Sequence, residues 1–368
     1  MKQILILLAA VLLLPLHTAA EEEPHYASAL AEAQTGMLLG GTDADVQLPA
    51  GTQTKLMTVY LTAEAIEAVT LSPDTLLTVP AAAERYPGAT VWLRAGEKMS
   101  VRDLLKAVIT GNANDACITL AHHISGSEQA FVDDMNAAAF SLGMRQTRFA
   151  DCTGTSAENI TTAGDLALLC RGLLRFEILR PMFTAYRDTL RNGETELVSE
   201  NRLTRDYEGL LGMKAGHGDS SGYTLTLAAE RDGMRMIAVV LGAADTDARF
   251  ADAKKLLKEG FSGYTVTTPD FSAEHIRPLP VRGGTAEAVL PETGGLRSIA
   301  SPKGSRITAV TVLPAYAEAP VRKGERLGTA AFYCGDTLLY EIPLTAAADV
   351  PRRGLKETAA LLLRALFR

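Results

Sequence analysis

Leu48 to Thr58 reads L-P-A-G-T-Q-T-K-L-M-T and sets Thr52 and Lys55 three residues apart at a predicted helix start. Beyond Lys55, the residues Leu56, Tyr60, Leu61, Ala65 and Val69 recur at helical spacing, which predicts a core helix over Lys55 to Val69. Positions i and i+3 share a helix face, so a hydroxyl and an amine are expected side by side, a nucleophile beside a base. Burial lowers the proton affinity of such an amine, and the helix N-terminus favours negative charge developing on the oxygen. Taken alone, the same tetrapeptide also describes a helix-capping threonine followed one turn later by a solvated lysine.

Working outward, Ala27 to Ala33 and Met37 to Leu39 read as two strands turned by Gln34-Thr35-Gly36. Ser100 caps a helix with Asp103 at its third position, Asn114 to Ile124 is helical up to Gly126, and Glu128 to Leu142 is closed by Gly143. Arg148 to Thr162 is loop-like, and Ala163 to Phe176 returns to helix. Thr224 to Leu241 reads as two strands turned at Arg231-Asp232-Gly233, and Arg249 to Gly260 as a helix. Strands and helices come in separate blocks, so the fold class is α+β, an antiparallel sheet flanked by helices. After about Pro269 short Val-, Gly- and Pro-rich strands predict a small all-β domain, and Gly354 to Arg368 predicts an amphipathic helix with Leu355, Ala359, Leu362 and Leu366 in one stripe.

The 368 residues are 47% hydrophobic and 21% charged, enough for one large domain and a smaller one. A balance of 36 basic and 43 acidic residues, with no basic stripe interleaved with aromatics, argues against nucleic acid. Lys2, the apolar run Ile4 to Leu16 and the small residues Thr18 to Ala20 read as a secretory signal peptide over 1–20, shorter than the ~20 apolar residues a membrane span needs. The expected units are then 23–262, 269–350 and a membrane-associating helix 354–368, in a protein exported to the outer face of the cytoplasmic membrane or the cell wall. Cys117, Cys152, Cys170 and Cys334 have no metal-ligand spacing, so no metal or cofactor is expected; one disulfide is open to a chain outside the cell. His122 and His123 are helix neighbours that cannot converge on one metal ion, and Cys117 reads as a small buried hydrophobe.

With its flanks, Leu48 to Thr58 resembles the nucleophile segment of the low-molecular-weight penicillin-binding proteins, the serine-type D-alanyl-D-alanine carboxypeptidases with S-x-x-K, S-x-N and K-T-G motifs. Leu93-Arg94-Ala95-Gly96-Glu97, Asn114-Asp115-Ala116, Leu142-Gly143-Met144 and Gly212-Met213-Lys214-Ala215-Gly216-His217 follow in that family's order, as do Gly222-Tyr223 and Arg231-Asp232-Gly233. The β-rich tail, with Ala319-Pro320-Val321 and Pro343-Leu344, resembles the family's C-terminal domain. The resemblance implies an acyl-enzyme mechanism on peptidoglycan stem peptides ending in D-Ala-D-Ala, with β-lactams as further ligands. Carried over by position, it implies Thr52, Lys55 and Asn112 as catalytic and Asn114, Lys214, Ala215, Gly216 and His217 as substrate-binding.

Each motif departs from that pattern at a hydroxyl. Thr52 stands for serine, Asn112 for the serine of S-x-N, and Ala215 for the threonine of K-T-G. The β-methyl of Thr52 crowds attack, an asparagine amide cannot shuttle a proton, and Ala215 has no donor. Impaired catalysis is therefore expected, with a non-catalytic relative that binds cell-wall peptide or a partner as the alternative. A β-lactamase fits less well, since no deacylating glutamate is evident.

Overall fold

The computed structural model describes residues 25–269, 271 and 276–366, with side chains through residue 360. The leader expected at 1–20 lies outside them, as do the side chains of Leu362 and Leu366. Strands β1 (Ala27–Glu32) and β2 (Leu38–Thr42) form the expected first hairpin. Five helices follow: α1 (Lys55–Glu67), α2 (Val101–Ile109), α3 (Asn114–Ser125), α4 (Glu128–Leu142) and α5 (Ala163–Leu173). Strands β3 (Leu210–Gly218), β4 (Gly222–Arg231) and β5 (Met234–Ala243) then complete an antiparallel sheet of order β2-β1-β5-β4-β3, and α6 (Thr246–Gly263) runs behind it.

The β5 run M-R-M-I-A-V-V-L-G-A shows how the layers form. Ile237, Val239 and Leu241 enter the cluster shared with α1 to α5, while Met236, Ala238 and Val240 enter the cluster shared with Phe250 and Leu257 of α6. Period-two alternation between two apolar faces thus buries the strand on both sides. The β4–β5 turn is made by Asp232 and Gly233 at φ 51° and 77°, a two-residue connection with both positions left-handed, which matches the twist of its strands.

Several boundaries differ from the sequence expectation. Helix α1 stops at Glu67, and Val69, assigned to its core face, has a left-handed backbone and is 88% exposed. Helix α5 stops at Leu173, and Phe176 instead packs edge-on against Tyr60, ring centroids 5.6 Å apart. Helix α6 starts earlier than Arg249, because the Asp245 carboxylate accepts the N–H groups of Asp247 and Ala248 and caps it there.

The largest difference is at the start of the β-rich segment. Tyr264–Thr267, which falls between the expected units 23–262 and 269–350, forms a strand, β6, paired with Ile299–Pro302. Its alternating aromatic and β-branched residues outweigh the nearby proline as a signal. Beyond it, Ile307–Val312, Arg326–Cys334, Thr337–Ala346 and Pro291–Thr293 make a four-stranded sheet over Ile299, Phe332, Ile342 and Leu344. The terminal helix Leu355–Leu366 is exposed along residues 355–360. Among the described residues no helix is long and apolar enough to cross a membrane. All four cysteines are free thiols.

Candidate active site

Thr52 sits on a 3-10 turn, Gly51–Thr54, that leads directly into α1. The buried side chain of Gln53 fixes this turn. Its Nε2 donates to Lys214 O (3.2 Å) and Thr224 Oγ1 (3.0 Å), and its Oε1 accepts from Thr226 Oγ1 (2.9 Å). The turn is thereby stitched to β3 and β4, the reason the nucleophile candidate faces the edge strand of the sheet.

Lys55 is 3% exposed, and its Nζ donates to Thr153 O at 2.6 Å. The expected pairing with Thr52 is not made in this state: Thr52 Oγ1 is buried and has no hydrogen-bond partner. A 3-10 turn eclipses positions i and i+3, so the turn itself does not part the two side chains; the amine is instead taken by Thr153 O. Burial pushes the Lys55 ammonium below the ordinary lysine range, while nearby Asp151 and Glu200 oppose that shift. The loop that receives Lys55 is organised by Asp151, whose carboxylate accepts the N–H groups of Thr153, Gly154 and Ser156 and an N–H of Asn159. Burial alone would raise this carboxyl, but those backbone donors hold it below the usual range.

Asn112 lies in the α2–α3 connection at φ 58°, a left-handed conformation asparagine tolerates better than most residues. Its Nδ2 donates to Glu200 Oε1 at 3.3 Å, and its buried Oδ1 has no donor. Asn114 is the first residue of α3 rather than its cap; its Nδ2 donates to Pro87 O at 2.7 Å, and its Oδ1 is also unpartnered. The Asp115 carboxylate accepts the N–H groups of Val91 and Leu93, tying the 87–93 loop to the start of α3.

Strand alternation divides the third motif. Lys214 faces the helices, where its Nζ donates to Val108 O (3.0 Å) and Ile109 O (3.3 Å) at the end of α2. Burial pushes its amine down to about 7, and the charge of Lys55 adds to that. Ala215 points the other way and packs in the apolar cluster with Leu203, Leu225 and Phe250, so it does not line the space beside Thr52. Gly216 faces the helices again. A methyl group there would run into Oγ1 and Cβ of Thr52, so only glycine allows β3 to lie this close. His217 is exposed at the rim and stacks on Tyr223, centroids 5.5 Å apart.

Two residues not singled out in the sequence complete the site. Arg249 of α6 is 3% exposed, and its Nη1 donates to Gly216 O at 2.6 Å. Its Nη2 lies 3.9 Å from Glu200 Oε2. Nothing local marks either residue or Gln53, since their importance comes from partners 25 to 173 positions away. Asp151 was legible in principle, because an aspartate before Thr-Gly-Thr suits an Asx-type loop. Among the described residues no cluster of three or more His, Cys, Asp or Glu side chains is placed to hold a metal ion.

The site is thus a closed seam between the helices and β3. It holds two amines whose proton affinity burial lowers, and four buried polar atoms without partners: Thr52 Oγ1, Asn112 Oδ1, Asn114 Oδ1 and Arg249 Nε. Unpaired buried polar groups are costly and rare.

Comparison with known proteins identifies the family. Residues 17–245 match the D-alanyl-D-alanine carboxypeptidase family, and residues 299–352 match the penicillin-binding protein 5 C-terminal domain. D-alanyl-D-alanine carboxypeptidase DacF of Bacillus subtilis is 31% identical, over 88% of this chain and 85% of its own length. DacC of Escherichia coli is 30% identical, over 87% and 82%. The crystal structure of penicillin-binding protein 5 from Haemophilus influenzae superposes with a TM-score of 0.80 at 25% identity, covering 89% of this chain and 97% of that one. Penicillin-binding protein D2 of Listeria monocytogenes, solved in an ampicillin-bound form, superposes at 0.58 and 32% identity, covering 64% of this chain and 96% of that one. The α+β architecture with its trailing β domain is that of penicillin-binding protein 5 from Haemophilus influenzae, and the chain belongs to the D-alanyl-D-alanine carboxypeptidase family.

Proposed function

We propose that this chain is an exported peptidoglycan-directed acyl-transfer protein whose seam binds stem peptides ending in D-Ala-D-Ala, with Thr52 as a slow nucleophile. The observation that carries this is the convergence of the unpartnered Thr52 Oγ1 with Lys55, Asn112, Asn114 and Lys214 at one buried seam. In the proposed reaction Thr52 Oγ attacks the carbonyl of the penultimate residue, and Lys55, its free base favoured by burial, takes the proton. The C–N bond breaks as the Lys55 ammonium gives that proton to the leaving nitrogen, terminal D-Ala departs with its amine, and water then hydrolyses the ester to free Thr52. β-Lactams would acylate the same oxygen.

Two of the three motif departures, Thr52 and Asn112, impair this enzyme. The methyl of Thr52 restricts its rotamer, and Asn112 cannot return a proton to the leaving amine, a contribution worth ~10²–10⁴-fold when a proper group is present. Crowding adds to this, because β3 lies close against Thr52 at Gly216. The second reading, a peptide-binding relative without turnover, is favoured by one observation: Lys55 is bonded to Thr153 while Thr52 has no partner. D-Ala release from an acyl-D-Ala-D-Ala peptide separates the two. We expect slow release that Thr52→Ala abolishes and that Thr52→Ser with Asn112→Ser raises beyond the product of the single effects. No release from any of these variants favours the binding relative.

The domain seam we place at Gly263–Tyr264, where α6 hands over to the β6 strand. The terminal helix, its described face fully exposed, is proposed to rest on the membrane surface.

A further inference from the structure

Resting on the peptidoglycan-directed reading above, we propose that Trp92 is the platform of a saccharide subsite, on which a sugar ring of the glycan bearing the stem peptide stacks.

Trp92 is the only tryptophan of the chain, and it is 77% exposed. A single exposed apolar residue is ordinary on a protein surface, but this one is held out by its backbone. Its φ is 54°, a left-handed conformation that bulky residues rarely adopt and that collects at ligand-binding segments. Val91 and Leu93 on either side are buried, and both give their N–H groups to the Asp115 carboxylate, at 3.2 and 2.9 Å. Val91 O accepts from Arg191 Nη2, and Arg191 is paired in turn with Glu97. With both neighbours pinned inward, the indole stands outward.

The surroundings of the ring specify the ligand. Trp92 lines a cleft of about 270 Å³ together with Glu84, Arg85, Thr90 and Arg94. The side chains of Glu84, Arg85 and Thr90 make no hydrogen bond or ion pair with other described residues, so a carboxylate, a guanidinium and a hydroxyl are open beside the indole. One flat apolar face rimmed by free donors and acceptors matches a pyranose, whose C–H face is apolar and whose hydroxyl and acetamido groups lie around its edge. A peptide ending in D-Ala-D-Ala offers only methyl side chains at its reacting end, too small to cover an indole.

Close contacts join the platform to the seam. The backbone N–H of Asn114 donates to Ala89 O at 2.7 Å, and its Nδ2 donates to Pro87 O at 2.7 Å. Gly88 lets the loop lie this near, since a methyl group there would meet Asn114 Nδ2 at 2.8 Å. The 87–93 loop is therefore fixed by two successive residues of α3, Asn114 at the seam and Asp115 beside Trp92. A stem peptide seated in the seam would carry the sugar at its other end to this face.

Because Trp92 is alone, the intrinsic tryptophan fluorescence of the full chain reads this site and no other. Titration with a tetramer of N-acetylglucosamine should shift the emission to shorter wavelength, while N-acyl-D-Ala-D-Ala without a sugar should leave it unchanged. In calorimetry a disaccharide-linked stem peptide should bind more tightly than the bare peptide. Trp92→Ala should weaken the first by about tenfold and spare the second, with the thermal transition unchanged because the side chain is exposed. No emission shift with the saccharide, together with equal affinity for the two peptides, would overturn the subsite and leave peptide binding intact. An equal shift with the bare peptide, and equal loss of both ligands in Trp92→Ala, would assign the platform to the peptide and overturn the proposal. Failure of the bare peptide to bind, with the saccharide shift present, would overturn the peptide-binding reading and leave the subsite standing.

Discussion

Placing a methyl group on Gly216 tests the closeness of β3 to Thr52 directly. Gly216 is not in the left-handed region, so alanine is conformationally acceptable and would by itself stabilise by ~0.4–1 kcal/mol through the unfolded chain. The added Cβ, however, meets Oγ1 and Cβ of Thr52 and approaches Cγ2 to 2.9 Å. Thr52 cannot retreat, because Gln53 ties its turn to β3 and β4 through three hydrogen bonds. Overpacking of this kind costs about 1–3 kcal/mol, so Gly216→Ala should destabilise by roughly 1–2 kcal/mol. In a Thr52→Gly background the obstacle is gone, and the same change should be neutral or slightly stabilising. Urea unfolding of the four proteins of this cycle, read as midpoint shifts at constant slope, gives the coupling. An equal cost of Gly216→Ala in both backgrounds would refute the contact.

Three further outcomes follow from the charged and exposed groups. Lys214 has a folded-state value of about 7 against 10.5 when exposed, so the folded state binds fewer protons than the unfolded state between these limits. Stability should rise with pH from about 7 to 10.5 by up to ~1.4 kcal/mol per unit, and Lys214→Met should remove that part of the slope in denaturation curves taken across the range. Asp151→Ala strips the acceptor from three backbone N–H groups and should cost ~3 kcal/mol at pH 7. Because this carboxyl is held below its ordinary 3.8, its contribution is complete above that value and lost as pH falls through the folded one; the mutant should show a smaller acid loss. Deleting residues 355–368 should abolish cosedimentation with anionic vesicles while leaving the thermal transition unchanged; retained cosedimentation contradicts a role for this helix.

How much of this was legible in the sequence depended on the range of the forces involved. Helix α4 begins after Ser127 and ends before Gly143 because cap chemistry is local, and the same holds for Ser100 and for the Asp232-Gly233 turn. The meeting of Thr52, Lys55, Asn114 and Lys214 was legible through motif order. Orientation was not. The 3-10 turn under Thr52 is fixed by Gln53 reaching strands 161 to 173 residues later, and Lys55 finds its acceptor 98 residues away. The facing of Ala215 follows from strand alternation, which could be counted only once β3 was known to be the edge strand. Glu200 gains its place solely through Asn112 and Arg249, residues on separate elements.

The central claim, that Thr52 is a working but hindered nucleophile, is tested most directly by the intact mass of the protein during prolonged incubation with a β-lactam. The account predicts a single adduct that accumulates slowly, forms faster in Thr52→Ser with Asn112→Ser, and is absent in Thr52→Ala. An adduct that persists in Thr52→Ala, or full acylation of the unaltered protein within seconds, would contradict it.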